Sequence, residues 1–131
     1  MELQSFSHSY GQLAYHVVLV TKYRRQVLSK DKHDVVKLIF NEIAIKHAMK
    51  LHAIEVLEEH VHIFITIPPT LCLSKAMQLL KGISSRILFK AFPEIKQKLW
   101  GGHLWSKGKF FRSVGSVTAE AIQHYIRETQ S

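Results

Sequence analysis

The sequence predicts an α+β domain: a four-stranded antiparallel sheet with two helices on one face and an extra helix at the C-terminus. Three observations carry this reading. β-branched and aromatic runs alternate with helical periodicities in the order β-α-β-β-α-β-α. Strict alternation over His60–Ile67 sets Val61, Ile63, Ile65 and Ile67 on one side and His60, His62, Phe64 and Thr66 on the other. Prolines stand where elements must stop, at Pro68-Pro69 and Pro93. Split β-α-β units in this order build the ferredoxin-like, RRM-like plan. The aliphatic side of the third strand belongs against the helices, which leaves the histidines on the open face.

Each element has its own signal. Gln12–Lys22 is rich in β-branched and aromatic residues and reads as a well-buried strand. Tyr23–Lys30 is a basic connection. Asp31 suits the N-cap of a helix reaching about Lys50, with Val36, Ile39, Phe40 and Ile43 at helical spacing. Leu51–Leu57 and His60–Ile67 are strands around Glu58-Glu59. Ser74 is placed to cap a helix running to about Phe92, with Ala76, Met77, Leu80, Ile83, Ile87 and Ala91 on its apolar face. Leu104–Ser113 reads as the fourth strand, and Thr118 to about Glu128 as the last helix.

Composition bounds the function. The 131 residues make one domain, taken as 1–131, with 47% hydrophobic and 21% charged residues. No apolar run is long enough for a membrane span, and the N-terminus lacks the pattern of a secretory signal. A lone cysteine, Cys72, excludes an internal disulfide framework and a multi-thiolate zinc site. A cytoplasmic protein is expected. Eighteen Lys and Arg against ten acidic residues give +8, the footprint of a nucleic-acid binder.

The chemistry-bearing cluster starts from His60-Val61-His62. Two imidazoles two residues apart on a strand lie about 7 Å apart at the backbone, close enough to share a divalent cation. If Glu58-Glu59 is a two-residue hairpin turn, Glu55 opposes His62 and offers a carboxylate on the same face. A one-residue slip would turn Glu55 to the helices. Two imidazoles and a carboxylate suit Mg²⁺ or Mn²⁺.

With these residues in view, the chain resembles the single-tyrosine HUH transposases of small insertion sequences, the transposase A type of the insertion-sequence 200/605 family. The resemblance rests on His16-Val17-Val18 with Thr21-Lys22-Tyr23-Arg24, on Glu59-His60-Val61-His62, on Trp105 through Phe111 with Ser113 and Gly115, and on Tyr125-Ile126. It implies that Tyr125 is the nucleophile, that it forms a 5′-phosphotyrosine on single-stranded DNA, and that His60 and His62 hold the cation. The family often has a glutamine four residues after its tyrosine as a third ligand. Here that position is Thr129, and Gln130 comes one residue later, about 140° around a regular helix from Tyr125. Gln130 and Glu55 therefore compete for the third ligand position, with Glu128 a remote alternative.

The resemblance also implies single-stranded DNA ends bearing hairpins as partner, and a homodimer with composite active sites in which Tyr125 serves the other subunit's histidines; the sequence is equally consistent with Tyr125 serving its own subunit. Residues suited to the phosphates are Tyr23, Arg24 and Arg25, then Lys75, Arg86 and Lys90 on one face of the second helix, then Lys107 and Lys109. Competing readings are a host-retained HUH nuclease acting on repetitive DNA, a non-catalytic RRM-like nucleic-acid-binding module, and a two-histidine phosphoesterase. The last wants a second HxT or HxS element, which the sequence lacks.

Overall fold

The computed structural model describes residues 13–99, 102–108 and 110–116. Along the chain run β1 (Leu13–Val20), α1 (His33–Lys46), β2 (Lys50–Val56), β3 (His60–Ile67), α2 (Leu73–Ala91), α3 (Pro93–Gln97) and β4 (Phe110–Ser116). Short 3-10 turns at Lys22–Arg24 and Lys30–Lys32 fill the first connection. The strands pair antiparallel in the order β2-β3-β1-β4, which is the ferredoxin-like arrangement the sequence predicts. The predicted last helix lies outside the described residues, and with it Tyr125, Glu128, Thr129 and Gln130.

The two faces of β3 separate as the alternation requires. Val61, Ile63, Ile65 and Ile67 are buried in one cluster with Val17 and Leu19 of β1, Val36, Phe40 and Ile43 of α1, and Met77, Leu80 and Leu88 of α2. The opposite face is not open along its whole length. Ala14, Phe64 and Thr66 are buried there, while His16, His60 and His62 are half-buried. Among the described residues, Glu55 and Arg112 are exposed on this face, on either side of the histidines.

Helix boundaries differ from the predicted ones for local reasons. Asp31 does not cap α1; its carboxylate accepts a hydrogen bond from Ser29 Oγ at 2.5 Å, and the helix proper begins at His33. The same helix stops at Lys46 because Ala48 turns left-handed, with φ of 59°. Met49 N–H then bonds Ala44 C=O at 2.8 Å and Ala48 N–H bonds Ile45 C=O at 3.3 Å, the reciprocal pair of a Schellman turn. That turn frees Lys50 to start β2. In α2 the N-cap is Cys72 rather than Ser74, and the buried face comprises Ala76, Met77, Leu80, Ser84 and Leu88. Ala91 is exposed. Ser84 can be buried because its hydroxyl donates to Leu80 C=O at 2.5 Å and accepts Trp105 Nε1–H at 2.9 Å.

The predicted fourth strand is broken in two. Lys22 N–H bonds Leu104 C=O at 2.7 Å, Ser106 N–H bonds Val20 C=O at 2.8 Å, and Trp105 bridges Thr21. The carbonyls of Ser106 and Gly108 then both accept from Lys81 Nζ at 3.0 Å, away from β1. Regular pairing resumes only at Phe110, opposite Val18.

Ala48 places a methyl group in a conformation that costs an L-residue roughly 1–2 kcal/mol and costs glycine almost nothing. Ala48→Gly is expected to stabilise the domain by about 1 kcal/mol, read from urea unfolding midpoints at constant m-value.

Candidate active site

Strand β3 brings His60 and His62 together at one end of the sheet, with ring centroids 4.7 Å apart and planes at 69°. The turn at Glu58-Glu59 has two residues: Leu57 N–H bonds His60 C=O at 2.8 Å, and Val56 faces Val61. Glu55 therefore stands opposite His62, on the same face, in the register that the sequence requires. A bulge between Leu51 and Ala53 lies farther along β2 and leaves this end of the ladder undisturbed.

The neighbouring strand adds a histidine that the sequence reading did not select. His16 Nε2 lies 3.1 Å from His62 Nδ1, and the two rings stack with centroids 5.2 Å apart. The signal was present in the antiparallel register, which puts the even-numbered residues of β1 and β3 on one face. Arg112 of β4 faces His16 across the other side of β1.

Burial lowers the basicity of His62 and of His16. Burial pushes the His62 pKa down, the adjacent His60 adds to that, and the Glu55 carboxylate opposes it. His16 is also pushed down, first by burial, then by His62 and Arg112. Neutral imidazole is the form that ligates metals. His60 Nδ1 is buried and lacks a hydrogen-bond partner among the described residues; its nearest carboxylate oxygen, Glu59 Oε1, is 3.8 Å away.

Two adjacent imidazoles with an opposing carboxylate are a donor set that fits a divalent cation. No three His, Cys, Asp or Glu side chains among the described residues are gathered tightly enough to form a complete cage. Glu55 acts on His62 through its charge, and Gln130 lies outside the described residues.

A polar junction supports the turn beneath His60. Thr21 is fully buried; its N–H and hydroxyl both reach Glu59 C=O, at 2.9 and 3.0 Å, and Leu28 N–H bonds Glu58 C=O. Next to it Tyr23 and Arg24 are both left-handed, with φ of 60° and 52°. Tyr23 is 62% exposed, with Lys22 Nζ 5.4 Å from its ring centroid and the Arg25 guanidinium at 6.0 Å. Arg24 reaches Glu59 Oε1 at 3.4 Å.

The predicted DNA-contacting residues thus divide into two groups. Tyr23, Arg24 and Arg25 adjoin the β2–β3 turn and the histidines. Lys75, Arg86 and Lys90 are exposed on the outer side of α2, across the sheet from them. Lys107 is exposed in the loop before β4, and Lys109 lies outside the described residues.

Comparison with known proteins follows the same lines. The profile of the family described as "Transposase IS200 like" matches residues 9–129. The ISDra2 transposase TnpA of Deinococcus radiodurans is 37% identical over 115 residues, covering 88% of this chain and 82% of that protein. The transposase for insertion sequence element IS200 of Salmonella typhimurium is 32% identical over 124 residues, covering 95% and 81%. A crystal structure of a transposase from Deinococcus radiodurans R1 superposes with a TM-score of 0.73 at 37% identity, over 92% of each chain. A REP-associated tyrosine transposase bound to a REP hairpin shares the fold, with a TM-score of 0.55 at 16% identity over 90% of this chain and 63% of that one. No helix among the described residues is long and apolar enough to cross a membrane.

One titration at this face is measurable without any ligand. His52 Nε2 lies 2.6 Å from Thr66 Oγ1 and its ring packs on Phe64. Burial, helped by the charge of Lys50, pushes its pKa down to about 4. Between pH 6.5 and 4 the unfolded chain takes up the proton and the folded one does not, so stability falls as pH falls. The loss is expected to reach at most about 3 kcal/mol near pH 4. His52→Gln should flatten that part of the stability-against-pH curve.

Proposed function

The chain belongs to the IS200-like transposase family and is a DNA transposase, and on that premise we propose that it cuts and rejoins single-stranded insertion-sequence ends through Tyr125. His60 and His62 are read as the pair that holds the divalent cation, Mg²⁺ or Mn²⁺. The observation that carries this reading is the placement of His60 and His62 side by side on one face of the sheet, with Glu55 opposite His62. The non-catalytic RRM-like module gives way to the family assignment, although it shares the strand order.

In the proposed reaction Tyr125 Oη attacks the scissile phosphorus. The phenolic proton leaves, the bond from phosphorus to the 3′-oxygen breaks, and that oxygen is released as a free 3′-OH. The product is a 5′-phosphotyrosine. A phenol with a pKa of about 10 is a weak nucleophile toward an anionic diester at neutral pH, so the site must stabilise added negative charge. A divalent cation bound here would supply that stabilisation as a Lewis acid. His60 and His62 would hold it, with Glu55 or Gln130 as the third ligand. Because the covalent bond retains the phosphoester energy, attack by a second 3′-OH reverses the step and joins strands.

Around this centre, Tyr23, Arg24, Arg25, Lys107 and Lys109 are read as contacts to the strand entering the site. Lys75, Arg86 and Lys90 form a separate basic track, suited to the phosphates of a hairpin stem. A single HUH domain carries all of these parts. It is read as a homodimer whose subunits exchange the C-terminal helix, so that each Tyr125 serves the partner's histidines.

His62→Ala should abolish Mn²⁺ binding by calorimetry and strand cleavage, with the fold retained; unchanged Mn²⁺ affinity would remove His62 from the metal site. Tyr125→Phe keeps the ring, so thermal stability should hold while the covalent protein–DNA band on labelled single-stranded ends disappears. Mixing the two variants separates the arrangements of the site. Shared active sites recover cleavage in mixed dimers, because some composite sites then carry both wild-type residues, whereas self-contained subunits recover none.

A further inference from the structure

Beside the proposed ligands stands an imidazole for which the proposed chemistry has no use. His16 Nε2 is 3.1 Å from His62 Nδ1, and the rings stack with an interplanar angle of 24°. The contact is built into the sheet. Val18 opposes His62 and His16 opposes Phe64, so the two histidines are diagonal neighbours on paired strands.

A neutral imidazole has one N–H and one lone pair. The contact between Nε2 of one ring and Nδ1 of the other therefore has two arrangements. In the first, His16 donates, His62 accepts at Nδ1, and the proton of His62 sits on Nε2. That nitrogen is then blocked as a ligand. In the second, His62 donates from Nδ1 and its Nε2 lone pair is free to face the site.

We propose that His16 is a positioning residue whose Nε2 accepts the Nδ1–H of His62, holding His62 in the tautomer whose Nε2 lone pair points to the cation. This rests on the reading of His62 as a ligand. Its logic is that of metal sites in which an outer hydrogen bond fixes both ring orientation and tautomer. Here the outer partner is a second imidazole on the adjacent strand, so sheet register sets ligand chemistry.

Two measurements on the full chain test it. Long-range ¹⁵N–¹H NMR of the metal-free protein should find the His62 proton on Nδ1 and a bare Nε2. In calorimetry with Mn²⁺ alone, His16→Phe keeps an aromatic ring but removes the acceptor, and should weaken binding at least ~10-fold. His16→Gln offers an amide oxygen in place of Nε2, and should stay within about threefold of wild type. If His62→Ala leaves Mn²⁺ affinity unchanged, the metal reading falls and this proposal falls with it. If His62→Ala abolishes binding while His16→Phe binds like wild type, only the role of His16 is overturned. A His62 proton found on Nε2, or an equal loss in His16→Gln and His16→Phe, overturns it as well. Should His16→Phe not fold, the wild-type tautomer and the glutamine variant still decide.

Discussion

Eight consecutive residue pairs join β1 to β3, from Leu13 opposite Ile67 to Val20 opposite His60, and a pleated strand turns that register into two chemically different faces. On one face Val17, Leu19, Val61, Ile63 and Ile65 are all essentially removed from water against α1 and α2. On the other, the same pairing delivers His16, His60 and His62 to one end. A slip by one residue would send the imidazoles into the aliphatic core and the isoleucines to the surface. The apolar burial that stabilises the sheet is therefore also what holds the site in place.

The turn carrying Glu58 and Glu59 is fastened more firmly than its length suggests. Thr21, buried at the end of β1, bonds Glu59 C=O, and Leu28 bonds Glu58 C=O. The same short stretch accepts Leu104 and Trp105 on its other side, and Trp105 in turn donates to Ser84 in the middle of α2. Buried polar groups of this kind are costly when unpaired, roughly 1–3 kcal/mol each, so the network tolerates little displacement. It ties the first strand, the hairpin turn and the second helix to a common point just beneath His60. Tyr23 and Arg24 take up left-handed backbone beside it, a conformation that persists only where surrounding contacts enforce it.

Charge is distributed to match. The net +8 is not spread evenly: one group of cations adjoins the β2–β3 turn, and another lines the outer side of α2. Between them, burial lowers the pKa of His16 and of His62. A protein that acts on DNA benefits from this division, because the basic groups draw the phosphates in.

The sequence by itself determined the strand and helix order, the two faces of β3, and the alignment of Glu55 with His62. Alternation, helical period and a two-residue turn are local properties, legible without knowing what packs where. It also determined which residues to consider at the site, from the HxH strand to Tyr125 and its family pattern. Only the tertiary structure decided the remainder. Ser84 joined the buried face of α2 because Trp105, twenty-one residues later, supplied a donor for its hydroxyl. Leu104–Ser113 split because Lys81 drew two of its carbonyls aside. Histidine 16 entered the site because antiparallel pairing set it diagonally from His62, forty-six residues away in the chain. Each of these is a contact between distant residues, and local pattern carries no record of a partner it does not adjoin.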